Sequence, residues 1–158
     1  MKLITNNAKN ILIVDDDLRL RELLKNYLTE KKLDVYVCDD FDSAREIIQY
    51  LIFDLILLDR MMPTGDGIKL VSTIKLINTT PVIMLTAMGE DINKIEGLKI
   101  GADDYVSKPF EPEELYLRII NLLNLYKNSN NEIPNISFGD YIFNIPKLEL
   151  KKNQEIIY

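Results

Sequence analysis

A doubly wound α/β domain is the fold this sequence predicts, on three observations. Short apolar runs alternate with amphipathic segments from Ile11 to about Tyr126. Several runs are nearly continuous in Ile, Leu and Val, as in strands covered on both faces of a parallel sheet. Each amphipathic segment is long enough to cross back over the sheet as a right-handed helical connection. The 158 residues hold one well-packed domain plus a smaller remnant.

The predicted strands are ILIV (11–14), DVYVC (34–38), DLILLD (54–59), PVIMLT (81–86) and the weaker DYVS (104–107). The spatial order expected of such a sheet is 2-1-3-4-5. Between the strands, Leu20, Leu23, Leu24, Tyr27 and Leu28 keep helical spacing behind Asp17, the expected cap. Ser43-Ala44-Arg45-Glu46 fits a capping box ahead of Ile47, Ile48 and Leu51. Asp66 can cap a helix carrying Leu70, Val71 and Ile74, and Gly65-Asp66-Gly67 reads as a simple turn. A weaker pattern of Ile92, Ile95 and Leu98 stops at Gly101. Pro112 opens a fifth helix through Leu115, Ile119, Leu122 and Tyr126. These elements define a first domain over residues 10–126.

Residues 127–135 begin with Lys-Asn-Ser-Asn-Asn and read as a linker. Over 136–158, ISFGDYIFNI, LELKK and EIIY read as short antiparallel strands separated by turns. Too few to bury a core alone, they form an incomplete domain or pack on the first.

Composition narrows the chemistry. A net charge of −6 argues against an electrostatic grip on nucleic acid by the chain as it stands. There is no histidine, so imidazole leaves every catalytic or ligand scheme. The lone Cys38, within an apolar run, reads as a small core residue in a reducing compartment. Neither a signal peptide nor a membrane span is visible, and a cytoplasmic protein is the expectation.

In an open parallel sheet the carboxyl ends of the strands share one crevice. Those ends carry Asp15, Asp16 and Asp17, then Asp59, Thr86 and Ser107-Lys108-Pro109. With Asp17 assigned to capping, Asp15, Asp16 and Asp59 converge. Carboxylates about 5 Å apart repel by roughly 3 kcal/mol at an effective dielectric near 20. Protonation relieves that repulsion, and so does a shared hard cation. An all-oxygen donor set favours Mg²⁺, which keeps room for phosphate oxygens. Asp59 then serves as an in-line oxygen nucleophile, with Lys108 and Thr86 on the phosphoryl oxygens. Taken singly, each residue has a plainer use: a cap, a turn, a β-branched strand residue, a solvated charge. Their convergence at four strand ends favours the chemistry.

Together ILIVDDD (11–17), DLILLDRMMPTGDG (54–67), PVIMLTA (81–87) and GADDYVSKPF (101–110) resemble the receiver domain of bacterial two-component response regulators. The resemblance implies a flavodoxin-like receiver fold and a phosphoacceptor switch. Beyond slow Mg²⁺-dependent self-phosphotransfer and autodephosphorylation, it implies no enzyme. By that resemblance Asp59 accepts a phosphoryl group from a sensor histidine kinase or a small donor. Asp16 ligates Mg²⁺ directly, Asp15 largely through water, and Met61 through its backbone carbonyl. Thr86 and Lys108 bind phosphoryl oxygens, Tyr105 is the switching aromatic, and Lys108-Pro109 is a cis peptide. The output surface is formed by the fourth helix, fifth strand and fifth helix.

GADDYVSKPFEPEEL followed by Arg118 is more specifically similar to the OmpR/PhoB subgroup. That implies homodimers through the same surface, with Lys94, Asp103, Asp104, Glu114 and Arg118 as candidates. The segment from Ile136 resembles the small sheet that opens the subgroup's winged-helix domain, and the chain stops before a recognition helix. Transcription regulation through promoter DNA is therefore expected only of a complete protein. Two other classes fit less well. A phosphatase similar to the haloacid dehalogenases wants a second Asp where Met61 stands. A flavodoxin-like nucleotide binder wants a Gly/Ser/Thr-rich loop where Asp15-Asp16-Asp17 would repel phosphate.

Overall fold

Strand β1 (Asn10–Val14) lies at the centre of one side of the sheet, between β2 (Asp34–Cys38) and β3 (Leu55–Asp59). This computed structural model describes residues 8–77, 79–87, 101–130, 136–144, 149–152 and 155–156. Beyond β3 a two-stranded ribbon, β4 (Met61–Met62) and β5 (Gly65–Asp66), leads to β6 (Val82–Thr86) and β7 (Asp104–Ser107). The five-stranded sheet has the order β2-β1-β3-β6-β7 with every pair parallel, which is the expected 2-1-3-4-5 arrangement. β3 and β6 are buried along their whole length, and β1 from Ile11 onward. The edge strands β2 and β7 are partly exposed.

The described helices are α1 (Leu18–Glu30), α2 (Phe41–Tyr50), α3 (Gly67–Ile77) and α4 (Pro112–Asn130). Alternation along the strands sends side chains to two cores. Leu12, Val14, Ile56, Leu58, Val82 and Met84 pack with α2 and α3 through Ala44, Ile48, Leu70 and Ile74. Ile11, Ile13, Leu55, Leu57, Ile83 and Leu85 pack with α1 and α4 through Leu24, Leu28, Leu115 and Ile119. Leu23 stays 49% exposed, off the buried stripe of α1.

Three local expectations need correction. α2 begins at Phe41, not behind Ser43; Asp40 is its cap, accepting the Ser43 N–H at 2.7 Å and the Ser43 hydroxyl at 3.0 Å. Asp is at least as good a cap as Ser, and starting there buries Phe41. α4 runs through Asn130, so residues 127–130 of the expected linker are helical. Asn and Ser cost a helix only a few tenths of a kcal/mol each, too little to stop an established one. Gly67 is more than a turn residue, because a Cβ there would lie 2.6 Å from the Asp59 carbonyl oxygen.

The helical pattern over Ile92–Leu98, and Lys94 with it, falls outside the described residues. Asp17 caps α1 as expected, and Asp66 accepts the Ile68 N–H at the start of α3. The chain divides into two units, Met1–Leu123 and Asn124–Tyr158. In the second, β8 (Ile136–Phe138), β9 (Tyr141–Asn144), β10 (Glu149–Lys152) and β11 (Glu155–Ile156) form an antiparallel sheet in the order β11-β10-β9-β8.

Candidate phosphoryl and metal site

The three carboxylates expected to converge do so. One oxygen each from Asp15, Asp16 and Asp59 lie within 4.8 Å of one another. The strand register explains why. Asp15 and Asp59 each follow an apolar run that ends at the same level of adjacent strands, with Val14 opposite Leu58. Asp15 is fully buried and Asp59 is 6% exposed, whereas Asp16 faces solvent.

Asp15 already has partners for both oxygens. Its Oδ1 accepts the Asp17 N–H at 2.9 Å, and its Oδ2 accepts from Lys108 Nζ at 2.7 Å. The Asp15 backbone is held as well, its N–H donating to the Cys38 carbonyl and its own carbonyl accepting from Arg21. Lys108 Nζ also stands 3.5 Å from Asp59 Oδ2, so one ammonium bridges two carboxylates from different strands. Burial works against the ammonium, but the hydrogen bond and charge of Asp15, and then Asp59, outweigh it and leave the Lys108 pKa raised.

For Asp59 the balance goes the other way. Burial, then the charge of Asp15, raise its pKa to about 6, against the pull of Lys108. A carboxylate so placed is under-neutralised. The cluster thus fits a hard divalent cation: the donors are oxygens, and the charge of Lys108 alone does not return Asp59 to the ordinary range.

Thr86 ends β6, buried, and its hydroxyl donates to the Val106 carbonyl at a long 3.5 Å. The Lys108 N–H donates to the Thr86 carbonyl at 2.6 Å, tying the lysine's backbone to the neighbouring strand end. Tyr105 is half-buried against the α2/α3 core. Its phenol pKa is raised by burial and drawn back by the charge of Arg60. Met61 lies exposed at the start of the ribbon, two residues beyond Asp59. The Lys108–Pro109 bond is cis.

The charged candidates on β7 and α4 separate. Asp104 pairs with Arg118 at 2.9 Å, and Arg118 also reaches Glu114 at 3.2 Å. Asp103 instead pairs with Lys75 at 2.9 Å and accepts the Val82 N–H at 2.7 Å, bracing α3 against the start of β6. The sequence alone did not flag Arg60, Gly67 or Lys75. Only Gly67, four residues after Pro63 in a strand-end loop, carried a local hint.

A comparison with protein families matches residues 11–120 to the response regulator receiver domain. Among curated relatives, the chain is 40% identical over 147 residues to protein PetR of Rhodobacter capsulatus, covering 92% of this chain and 62% of PetR. It is 42% identical over 140 residues to the transcriptional regulatory protein ResD of Bacillus subtilis, covering 84% of this chain and 57% of ResD. The chain thus spans less than two thirds of these relatives' length. Among solved structures, a Francisella response regulator receiver domain matches with a TM-score of 0.69 at 39% identity, over 75% of this chain and 98% of that one. A CheY-like receiver protein from Methanospirillum hungatei matches with a TM-score of 0.74 at 29% identity, over 78% and 99%.

Proposed function

The chain belongs to the response regulator receiver domain family, and on that footing we propose that Asp59 is its phosphoacceptor. The observation that carries this reading is the buried, under-neutralised Asp59 carboxylate within 4.8 Å of Asp15 and Asp16, with Lys108 alongside. Asp15, Asp16 and Asp59, together with the Met61 carbonyl, would hold Mg²⁺, whose charge offsets the carboxylates and the incoming phosphoryl oxygens.

Asp59 attacks phosphorus in line, an O–P bond forms, and the bond to the donor breaks with its electron pair leaving on the donor. With a sensor kinase the donor is a phosphohistidine, and the pair stays on the imidazole nitrogen. Lys108 turns its ammonium from Asp15 to a phosphoryl oxygen, a charge-assisted hydrogen bond of the stronger kind. The Thr86 hydroxyl trades its long bond to Val106 for a second phosphoryl oxygen. That movement vacates space for Tyr105, so a local charge becomes a change of surface around β7 and α4. Phosphorylation biases an equilibrium the protein already samples.

We further propose that residues 10–126 are the receiver, that 136–158 belong to the opening sheet of an OmpR/PhoB-type winged-helix domain, and that the complete protein is a cytoplasmic transcription regulator. Homodimers form through the surface bearing Lys94, Asp104, Glu114 and Arg118. Asp103 is the least available of the original candidates, because Lys75 already engages it. Acetyl phosphate with Mg²⁺ tests the core of the proposal. Intact mass should rise by one phosphoryl group in the wild type and not in Asp59→Asn. Equal labelling of both overturns it.

A further inference from the structure

β2 is an edge of the five-stranded sheet and is paired on one side only, with β1. The Asp34 N–H donates to the Lys9 carbonyl at 2.9 Å, and the Cys38 carbonyl accepts the Asp15 N–H at 3.1 Å. Along a paired strand, alternate residues turn their backbone groups to the same neighbour. Asp34, Tyr36 and Cys38 therefore face β1. The N–H and C=O groups of Val35 and Val37 point outward, where no strand lies among the described residues. A sheet edge is commonly blunted by a Pro, an inserted Lys or a bulge. DVYVC has none of these, and Tyr36 and Val37 are 39% and 38% exposed.

Charge says what fits this edge. Lys31-Lys32 stand just before the strand and Asp39-Asp40 just after it, so its two ends are opposite in sign. Lys32 and Asp39 are exposed, and no ion pair among the described residues engages either. A second copy laid antiparallel, with the twofold axis at Tyr36, brings each basic end to the partner's acidic end. The same register sets Val35 opposite the partner's Val37, and Val37 opposite the partner's Val35. Those are the outward-facing residues, and each such pair exchanges two backbone hydrogen bonds. A parallel copy would instead bring lysine to lysine and aspartate to aspartate, and would not close on itself.

We propose that β2 is a self-pairing edge: two copies of this chain join antiparallel at β2, without phosphorylation, into one continuous sheet. An antiparallel strand added to the edge of a parallel sheet is a common arrangement. The two Tyr36 residues meet across the axis as a non-hydrogen-bonded pair, the kind with the closer side chains. Each ring already packs edge-on against Phe53, 5.5 Å between centroids, which limits the freedom it loses on pairing. So short a ladder makes a small interface, with a dissociation constant of about 10 to 100 μM. The contact is independent of the phosphoacceptor reading. It also lies at the sheet edge opposite β7, so one chain can carry both this contact and the proposed β7/α4 pairing.

The test is sedimentation of the unphosphorylated full chain in EDTA, from micromolar to submillimolar concentration. A reversible dimer should form, and Arg118→Ala should leave it unchanged. Lys32→Glu and Asp39→Lys should each weaken it about three- to tenfold, by removing exposed opposite-charge pairs and placing like charges at both ends of the ladder. An equimolar mixture of the two variants should regain wild-type association, because each then offers the end the other lacks. Amide hydrogen exchange reads the register: Val35 and Val37 should slow as protein concentration rises, while Asp34 and Tyr36 stay as they are. A monomer across the whole range, association that leaves the Val35 and Val37 amides untouched, or a mixture no tighter than its components overturns the proposal. So does full protection of both amides at the lowest concentration, which would mean that a segment of the same chain covers the edge.

Discussion

Replacing Asp59 with asparagine should make the magnesium-free protein more stable near neutral pH. Burial and the neighbouring Asp15 raise the folded pKa of Asp59 to about 6, from an ordinary value of 3.8. Folding therefore favours the protonated form. That advantage is fully present below about pH 3.8 and is lost as pH rises through about 6. Above that pH, the wild type carries the whole cost of holding the carboxylate ionised. At about 1.4 kcal/mol per pH unit, a gap of about 2 units amounts to about 3 kcal/mol. Asparagine, neutral and nearly isosteric, escapes it. The assay is urea unfolding of both proteins in EDTA, near neutral pH and near pH 4, then with Mg²⁺. Asn should lead by about 2 to 3 kcal/mol near neutral pH and by almost nothing in acid. Magnesium at about ten times its dissociation constant should return about 1.4 kcal/mol to the wild type and much less to the variant. A wild type at least as stable as Asp59→Asn near neutral pH in EDTA, or an equal magnesium response in both, would refute this electrostatic reasoning.

Other consequences are testable in the same chain. Gly67→Ala places a Cβ against the Asp59 and Arg60 carbonyls; it should cost about 1 to 3 kcal/mol in urea unfolding and slow labelling by acetyl phosphate. Asp103→Asn removes the charge from the ion pair with Lys75 and should lower stability by about 1 to 3 kcal/mol, with labelling preserved. Arg118→Ala removes the cation shared by Asp104 and Glu114; if that face pairs two copies, sedimentation should detect a phosphorylation-induced dimer in the wild type and none in the variant.

Much of the fold was legible because its strands are local and unbroken in character. Ile11–Val14, Leu55–Leu58 and Val82–Leu85 are apolar at every position, which only a doubly covered sheet rewards. The acidic cluster was legible for a related reason: Asp15 and Asp59 each terminate such a run, so the fold brings them to one rim. What escaped depends on contacts that sequence spacing does not encode. Lys75 and Asp103 meet across 28 positions of chain. The constraint on Gly67 comes from the backbone of Asp59, visible only once α3 starts beneath the end of β3. Arg60 read as part of a motif, and only the strand register places it level with Thr86 at the end of the sheet. At α2 the error was a choice between two adequate caps, and burial of Phe41 decides for Asp40.

The most direct test is to locate the phosphoryl group chemically. After acetyl phosphate and Mg²⁺ treatment, borohydride reduction converts an aspartyl phosphate to homoserine, which peptide mass spectrometry can place. Homoserine at position 59, formed only when Mg²⁺ is present, is the predicted result. Homoserine at another position, or at 59 equally well in EDTA, would contradict the account.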